Sequence, residues 1–478
     1  MSGSKVYKWA FIDRVGIAVL NLGGNIVLAR LLTEADFGLL AMIAIFVAVA
    51  ADLSSCGLSD GIIHKVNPTR EDYSTVFVAN TVMGLIFGSA FFFGAPLMAS
   101  FFHQPELLNI TRVLGVCFFF QCMSFTQETY LRKELKMKQM CFVRIGATVS
   151  SLGLGITLAV LGYGYWALVC TQLVLSVFFY VYYVAASRWF PGFRFNVRTF
   201  KEFFRYGAPL MLAYLGNIVS KNINTSVLGR FYTSALSGVY YQGAKLANVP
   251  FSVSESSLNM PFFVVASNEP DPERRRGLIL GMMPVIIGFN AILLFFMLVI
   301  AAPGIELLYG DKWLAAIPVF RILALCEFTV CIKLFSQTIC KVYDRTSYVS
   351  RIAVVEILAQ LGLLALFFDK GILCIAWTQA GGVMISTAVY LFFFARLTEL
   401  SAVSMAGIFF SVIWLPAVAC VSSAATLYAL SAVGDFHAVV HCAVAGLVYA
   451  GVLVGIGEVF RPTAYMQWRS RIIKKNCK

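Results

Sequence analysis

NIVLARLLTEADFGLL, residues 25–40, and NTSVLGRFYTSALSGVY, residues 224–240, are one pattern written twice, with Arg30 over Arg230 and Gly38 over Gly238 at an offset of 200. Further on, TRVLGVCFFFQC (111–122) matches VFRILALCEFTVC (319–331), placing Arg112, Cys117 and Cys122 over Arg321, Cys326 and Cys331 at an offset of 209. Coincident Arg and Cys positions in corresponding apolar segments mark an internal duplication rather than a shared composition. The chain is therefore expected to consist of two related halves.

What those halves are made of follows from hydropathy. The 478 residues are 59% hydrophobic and only 13% charged, with a mean hydropathy of +0.81, too apolar for a water-soluble fold. Apolar runs of about 18–25 residues alternate with short polar connections, the length an α-helix needs to cross about 30 Å of hydrocarbon. The ~10-residue alternation of a membrane barrel is missing. Fourteen helix cores are expected, at 11–32, 37–63, 73–94, 110–130, 141–161, 167–187, 206–228, 238–267, 277–301, 319–341, 351–367, 373–394, 407–430 and 438–458. An even number of spans per repeat preserves orientation, so two six-helix lobes related by an axis along the membrane normal follow. The expected division is 1–187 for the first lobe, 188–205 for a basic linker, 206–395 for the second lobe, 407–458 for two additional helices and 459–478 for a basic tail.

Charge sets the direction. Basic residues collect at Arg132 to Lys138, Arg188 to Arg205, Arg274 to Arg276 and Arg461 to Lys478, which places those segments and both termini on the cytoplasmic side. Lys5 and Lys8 precede an apolar stretch too long for a signal peptide, which is expected to stay as the first helix. The net charge of +13 is accounted for by bases beside anionic lipid, so nucleic acid is not an expected partner. The twelve Cys form no CxxC pair and read as small buried residues rather than metal ligands.

Ionisable residues within membrane helices cost at least about 2.5–3.5 kcal/mol on insertion scales, so they belong in a protein interior or a wet cavity. The seventh span puts Tyr214, Asn217, Lys221 and Asn224 on one face, and the eighth does so with Tyr241, Lys245, Asn248, Ser252, Glu255 and Asn259. The first span has Arg14, Asn21 and Asn25, and the second has Asp52. Lys333 lies deep in the tenth span. These cations would suit a polyanionic head group, with Arg14, Asn21, Asn25, Tyr214, Asn217, Lys221, Asn224, Tyr241, Lys245, Asn248 and Lys333 as candidate substrate contacts. Asp52, Glu255, Glu327 and Glu356 are candidates for ion coupling. The alternative is a set of static pairs, Lys221 with Asp52 and Lys245 or Lys333 with Glu327 or Glu356. Pro209, Pro250 and Pro261 mark places where a helix is loosened. No nucleotide-binding loop, hydrolase elbow, zinc motif or dinucleotide fingerprint occurs, so no cofactor, metal site or catalytic residue is expected.

The segments ARLLTEADFGLLAM (29–42), LSDGIIHK (58–65), YGAPLMLAYLGN (206–217) and LLYGDKWLAAIPVFRILAL (307–325) resemble recurrent signatures of the Wzx-type O-antigen and exopolysaccharide flippases. These form the polysaccharide transporter branch of the multidrug/oligosaccharidyl-lipid/polysaccharide (MOP) exporter superfamily, and the likeness is strongest to colanic-acid-type exporters. The resemblance implies an all-α, MATE-like membrane fold in the bacterial inner membrane. It also implies export of an undecaprenyl-diphosphate-linked oligosaccharide to the periplasmic leaflet by alternating access, for surface polysaccharide such as lipopolysaccharide or exopolysaccharide, without enzymatic chemistry. Membrane lipids, a glycan polymerase and export machinery are the partners it implies. Two other readings stay open: a cation-coupled multidrug exporter of the same superfamily, which would want acids in place of the lysines, and a membrane polymerase or ligase, which would want larger loops.

Overall fold

The computed structural model describes residues 3–55, 58–65, 67–187, 192, 194–343, 345–433 and 437–460. Among them every regular element is helical. In chain order these are α1 (Gly3–Leu31), α2 (Glu34–Ser55), α3 (Leu58–His64), α4 (Arg70–Phe102), α5 (Leu107–Lys133), α6 (Met137–Val160), α7 (Trp166–Ser187), α8 (Val197–Phe231) and α9 (Ser234–Ser254). A π-turn (Glu255–Asn259) leads to α10 (Met260–Ser267), α11 (Pro272–Tyr309), α12 (Ala316–Val342), α13 (Thr346–Phe367), α14 (Ile372–Thr398), α15 (Ala402–Val433) and α16 (Ala438–Phe460), with a short 3-10 turn at Asp311–Trp313. Each of the fourteen expected spans has its helix. The second is divided between α2 and α3, and the eighth among α9, the π-turn and α10.

Eleven helices among the described residues are long and apolar enough to cross a membrane, making this a multi-pass membrane protein. α8, α9 and α12 are not among the eleven; α9 carries Lys245, and α12 carries Arg321, Glu327, Lys333 and Lys341. Three helices overshoot the bilayer: α4, α8 and α11 have 33, 35 and 38 residues, about 50–57 Å at 1.5 Å per residue. Their extra turns are held by polar caps. Thr69 and Asp72 form a reciprocal capping box at the start of α4, and Lys65 donates to the second Asp72 oxygen at 2.9 Å. Asn196 accepts from the Arg198 and Thr199 N–H groups at 2.9 and 3.3 Å to start α8, and Asp271 accepts from the Glu273 N–H at 3.1 Å ahead of Pro272 in α11. Each cap satisfies donors that no preceding turn can reach.

Packing divides the chain into two units, residues 1–238 and 239–478. In the first, α4 lies along α5, α7 on α5 and α6, α1 on α6, and α8 on α2 and α3. Lipid tails are as apolar as leucine, so the helices associate through close fit rather than water exclusion. Gly88 and Gly115 supply it for α4 and α5: a Cβ on either would press on the other's carbonyl oxygen. In the second unit, α12 and α13 pack on α14, and α15 and α16 pack on α11. There the Tyr449 hydroxyl donates to the Ile292 carbonyl at 2.9 Å, and Phe296 lies 5.6 Å from the Tyr449 ring. Large apolar side chains such as Phe93, Leu97 and Phe410 stay exposed, as a lipid-facing surface requires.

The duplicated signature carries a reciprocal contact inside the first unit. A Cβ on Gly38 would overlap the Ser234 carbonyl oxygen, and a Cβ on Gly238 would overlap that of Glu34; both pairs keep the offset of 200. Gly38→Ala is expected to cost about 2 kcal/mol, in the overpacking range, and to lower the thermal midpoint of the detergent-purified protein. Gly23→Ala, at a helical glycine with no atom within 4 Å of the added carbon, is the control and should not lower it. Equal midpoints for the two variants would mean that the α2–α9 approach is slack.

Candidate functional site

In the first unit, the rotation of α1 is fixed by Asp13, which accepts from Arg144 of α6 at 2.9 Å. Gly16 lies under Ile145 and Gly24 under Leu152 on the same helix pair. The nearest carboxylate to Arg14 along the chain is thereby committed to Arg144. Arg14 is exposed and makes no ion pair among the described residues. Asn21 is also exposed, whereas Asn25 is 5% exposed and packed inside the unit. Asp52 is half-buried near the end of α2.

The rotation of α8 is fixed in the same way. The Ser226 hydroxyl donates to the Met42 carbonyl at 2.7 Å, and Gly229 leaves room for the Met42 side chain. Lys221 is five residues earlier, about 140° round the helix from Ser226, and it is exposed. Lys221 has no ion pair among the described residues, with Asp52 or any other carboxylate. Asn224 is fully buried. The side chains of Tyr214 and Asn217 lie outside the described residues. At the end of α8, Arg230 contacts the His103 ring and lies 5.1 Å from the centre of Phe101.

In the second unit, Lys245 is half-buried with its ammonium 5.7 Å from the centre of the Tyr241 ring one turn back, a cation–π contact. Asn248 is half-buried beyond it. Lys333 donates to both oxygens of Glu356, at 2.8 and 3.0 Å, with the side chains 11% and 10% exposed. The structure thus brings one of the candidate cations against one of the candidate coupling acids, joining α12 to α13. Glu327 is half-buried on α12. Glu255 opens the π-turn and shares a small space with Asn259 of the same turn and with Asn290 of α11.

Asn290 borders the same small space as Glu255, and the sequence reading passed over it. It is 1% exposed and lies in an apolar run, GFNAILLFF (288–296), so no polar stripe announces it. The available signal was simply a lone amide at membrane depth, which has to face protein or water.

A bundle of long apolar helices, with Arg14 and Lys221 exposed and without an ion pair among the described residues, defines a polytopic membrane protein. Its fold is that of the lipid II flippase MurJ in the inward closed conformation, with a TM-score of 0.77 at 11% identity over 95% of this chain and 99% of that one. An inward-facing multidrug resistance MATE family transporter of the MOP superfamily superposes with a TM-score of 0.62 at 18% identity over 81% and 96% of the two chains. Residues 27–318 match the model of the family described as polysaccharide biosynthesis protein, and the chain belongs to that family. Among its relatives are the teichuronic acid biosynthesis protein TuaB of Bacillus subtilis, 24% identical over 68% of this chain and 67% of that protein, and the lipopolysaccharide biosynthesis protein WzxC of Escherichia coli, 25% identical over 66% and 65%. The chain thus spans about two thirds of the length of these relatives.

Proposed function

We propose that this protein is a flippase carrying an undecaprenyl-diphosphate-linked oligosaccharide from the cytoplasmic to the periplasmic leaflet of the bacterial inner membrane. The observation that carries the reading is Lys221, an exposed ammonium on α8 that makes no ion pair among the described residues. A cation so placed wants an anion from outside the chain, and a diphosphate supplies one. Arg14 has the same property on α1. In the first unit Asn21 offers an amide beside these cations, and in the second unit Lys245 adds a positive charge, with the Tyr241 hydroxyl and the Asn248 amide available to hydrogen-bond sugar. The isoprenoid tail remains in lipid as the binding surface opens first to one side and then to the other. Substrate and product are chemically identical, so no bond is made or cleaved and no catalytic group is needed.

The family match and the relatives named for teichuronic acid and lipopolysaccharide biosynthesis support a role in surface polysaccharide assembly. The basic segments after α5, α7, α10 and α16 support cytoplasmic termini. A glycan polymerase acting on the delivered oligosaccharide is the partner this reading requires. A multidrug exporter would bind cations, and Arg14 and Lys221, exposed and without an ion pair among the described residues, are the wrong sign for that.

Deletion of the gene tests the reading. Lipid-linked oligosaccharide should accumulate on the inner leaflet, shielded from a membrane-impermeant lectin applied to spheroplasts, and a plasmid copy should restore labelling. Labelling that is undiminished in the deletion strain would refute the export function.

A further inference from the structure

In the second unit, α12, α15 and α16 all pack on α11. On the side of the membrane away from Arg274 to Arg276, which begin α11, these four helices border a space of about 420 Å³, a size that suits a small ligand or a head group. Its lining changes with depth. Leu298 and Cys420 lie eleven and thirteen residues from the ends of α11 and α15, about 16–20 Å in. Glu306, Arg321 and His441 each lie within five residues of a helix end, less than about 8 Å. The space is thus apolar toward the middle of the bilayer and polar at head-group depth.

Arg321 is the duplicated arginine of this half. Its counterpart Arg112 rests 5.3 Å from the centre of the Phe92 ring in the first unit, whereas Arg321 is exposed and faces the space. Glu306 is exposed to the same space. Among the described residues neither makes an ion pair, with the other or with any third group. Two opposite charges that border one space at head-group depth without meeting leave room between them for a body that carries both signs. On α15 the Ser431 hydroxyl donates to the Tyr428 carbonyl at 2.8 Å, so its oxygen stays available as an acceptor at the same mouth.

We propose that this space binds one bilayer phospholipid with a phosphoethanolamine head group, its phosphate on Arg321, its ammonium on Glu306 and its acyl chains along the apolar walls of α11 and α15. An anionic lipid would satisfy Arg321 but set a second negative charge against Glu306. An isoprenoid phosphate has the same fault. A choline head supplies the positive charge but no N–H to donate to the carboxylate. Phosphoethanolamine supplies a phosphate for the guanidinium fork and three N–H donors for Glu306 and the Ser431 oxygen. The head group and the Arg321–Glu306 couple each sum to zero charge, so the complex holds no surplus charge at the edge of the hydrocarbon. The bound lipid ties Arg321 of α12 to α15 across a gap whose floor is α11. The site does not depend on the export reading above.

The test is native mass spectrometry of the full-length chain, purified and delipidated in detergent, then titrated with dioleoyl phosphatidylethanolamine, phosphatidylglycerol, phosphatidylcholine or undecaprenyl phosphate. One phosphatidylethanolamine per chain is expected to bind at least about tenfold more tightly than the other three, the value of one charged contact. Glu306→Gln should weaken phosphatidylethanolamine to the level of phosphatidylglycerol, and Arg321→Gln should weaken both. Ala424 is an exposed small residue lining the space, and Ala424→Trp should block the site by bulk while leaving both charges in place. Wild-type protein that binds the four lipids alike, or undecaprenyl phosphate most tightly, would overturn the assignment. So would a Glu306→Gln protein that keeps the wild-type preference. If Arg321→Gln is not monodisperse by size-exclusion chromatography, Glu306→Gln and Ala424→Trp decide the matter.

Discussion

Replacing Lys333 with Met should cost about 3–5 kcal/mol of stability, the range for removing one partner of a buried ion pair, and should lower the yield of folded protein. The cause is what stays behind. Glu356 is 7% exposed and receives both its short hydrogen bonds from the Lys333 ammonium, so the variant has to bury a bare carboxylate or force a proton onto it. Replacing both partners with apolar side chains of similar volume removes the stranded charge along with the bond. The double variant Lys333→Met with Glu356→Leu should therefore recover to within about 1–2 kcal/mol of wild type, since buried pairs exchanged for packed hydrophobes are commonly neutral or better. Thermal unfolding in detergent, read by tryptophan fluorescence, checks both values. A single variant as stable as wild type would show that the pair carries no structural load, and a double variant no better than the single would show that Lys333 and Glu356 do not act as a unit. Export by the double variant then separates fold from function: if it exports at the wild-type rate, Lys333 anchors α12 to α13 and does not hold the diphosphate.

The case of Lys333 also shows where sequence reasoning reaches. Two acids were eligible partners, Glu327 and Glu356. The sequence reading left both open; Glu327 is six residues before Lys333 on one helix, about 120° away round the axis and 9 Å along it, and the packing of α13 on α12 and α14 places Glu356 opposite. Each of the fourteen expected spans falls on a helix because an apolar segment of that length forms its helix independently of the others. Hydropathy misplaced their ends by up to about ten residues because it reads the part of a helix in lipid, whereas α4, α8 and α11 continue past it on the strength of Thr69, Asn196 and Asp271. The duplication was legible for a similar reason. Gly38 and Gly238 are held by contacts so close that a methyl group does not fit, and such positions keep their identity when neighbouring apolar residues drift.

The site was less legible than the fold, for a physical reason. A stripe of polar residues gives the direction a helix face points, and that follows from a period of 3.6; it says nothing about which groups on other helices meet it. Lys221, Lys245 and Lys333 look alike as mid-span lysines. The structure gives them three environments: exposed without an ion pair, stacked on a tyrosine, and clasped by a glutamate. Arg14 likewise acquires meaning only when Asp13, its neighbour, is seen to be taken by Arg144. Asn290 escaped because the residues it shares a space with, Glu255 and Asn259, are presented by a π-turn that no helical wheel reproduces.

Charge reversal at Lys221 should abolish export where loss of the same side chain merely slows it. A hydrogen bond to a charged group is worth about 1.5–3 kcal/mol, so Lys221→Ala is expected to reduce the export rate by roughly 10- to 150-fold if the ammonium meets the diphosphate in the step that limits transport. Lys221→Glu adds repulsion to that loss. Two unit charges 4 Å apart interact by about 4 kcal/mol at an effective dielectric of 20, so a further factor of at least about 100 is expected, and the variant should be indistinguishable from the deletion strain. Lys221→Arg keeps the charge and the donors and should retain most activity. None of these substitutions removes an internal ion pair, because Lys221 makes none among the described residues, and the side chain is exposed; folded protein levels should therefore be the same for all three. The measurement is lectin-accessible lipid-linked oligosaccharide on spheroplasts at matched protein abundance. The ordering Arg above Ala above Glu is the signature of an anion bound at this position, since a merely steric role would rank the variants by size and leave Glu close to wild type. A Lys221→Glu protein exporting at the wild-type rate would detach the diphosphate from α8 altogether, and the surplus positive charge on that helix would need another anion to explain it.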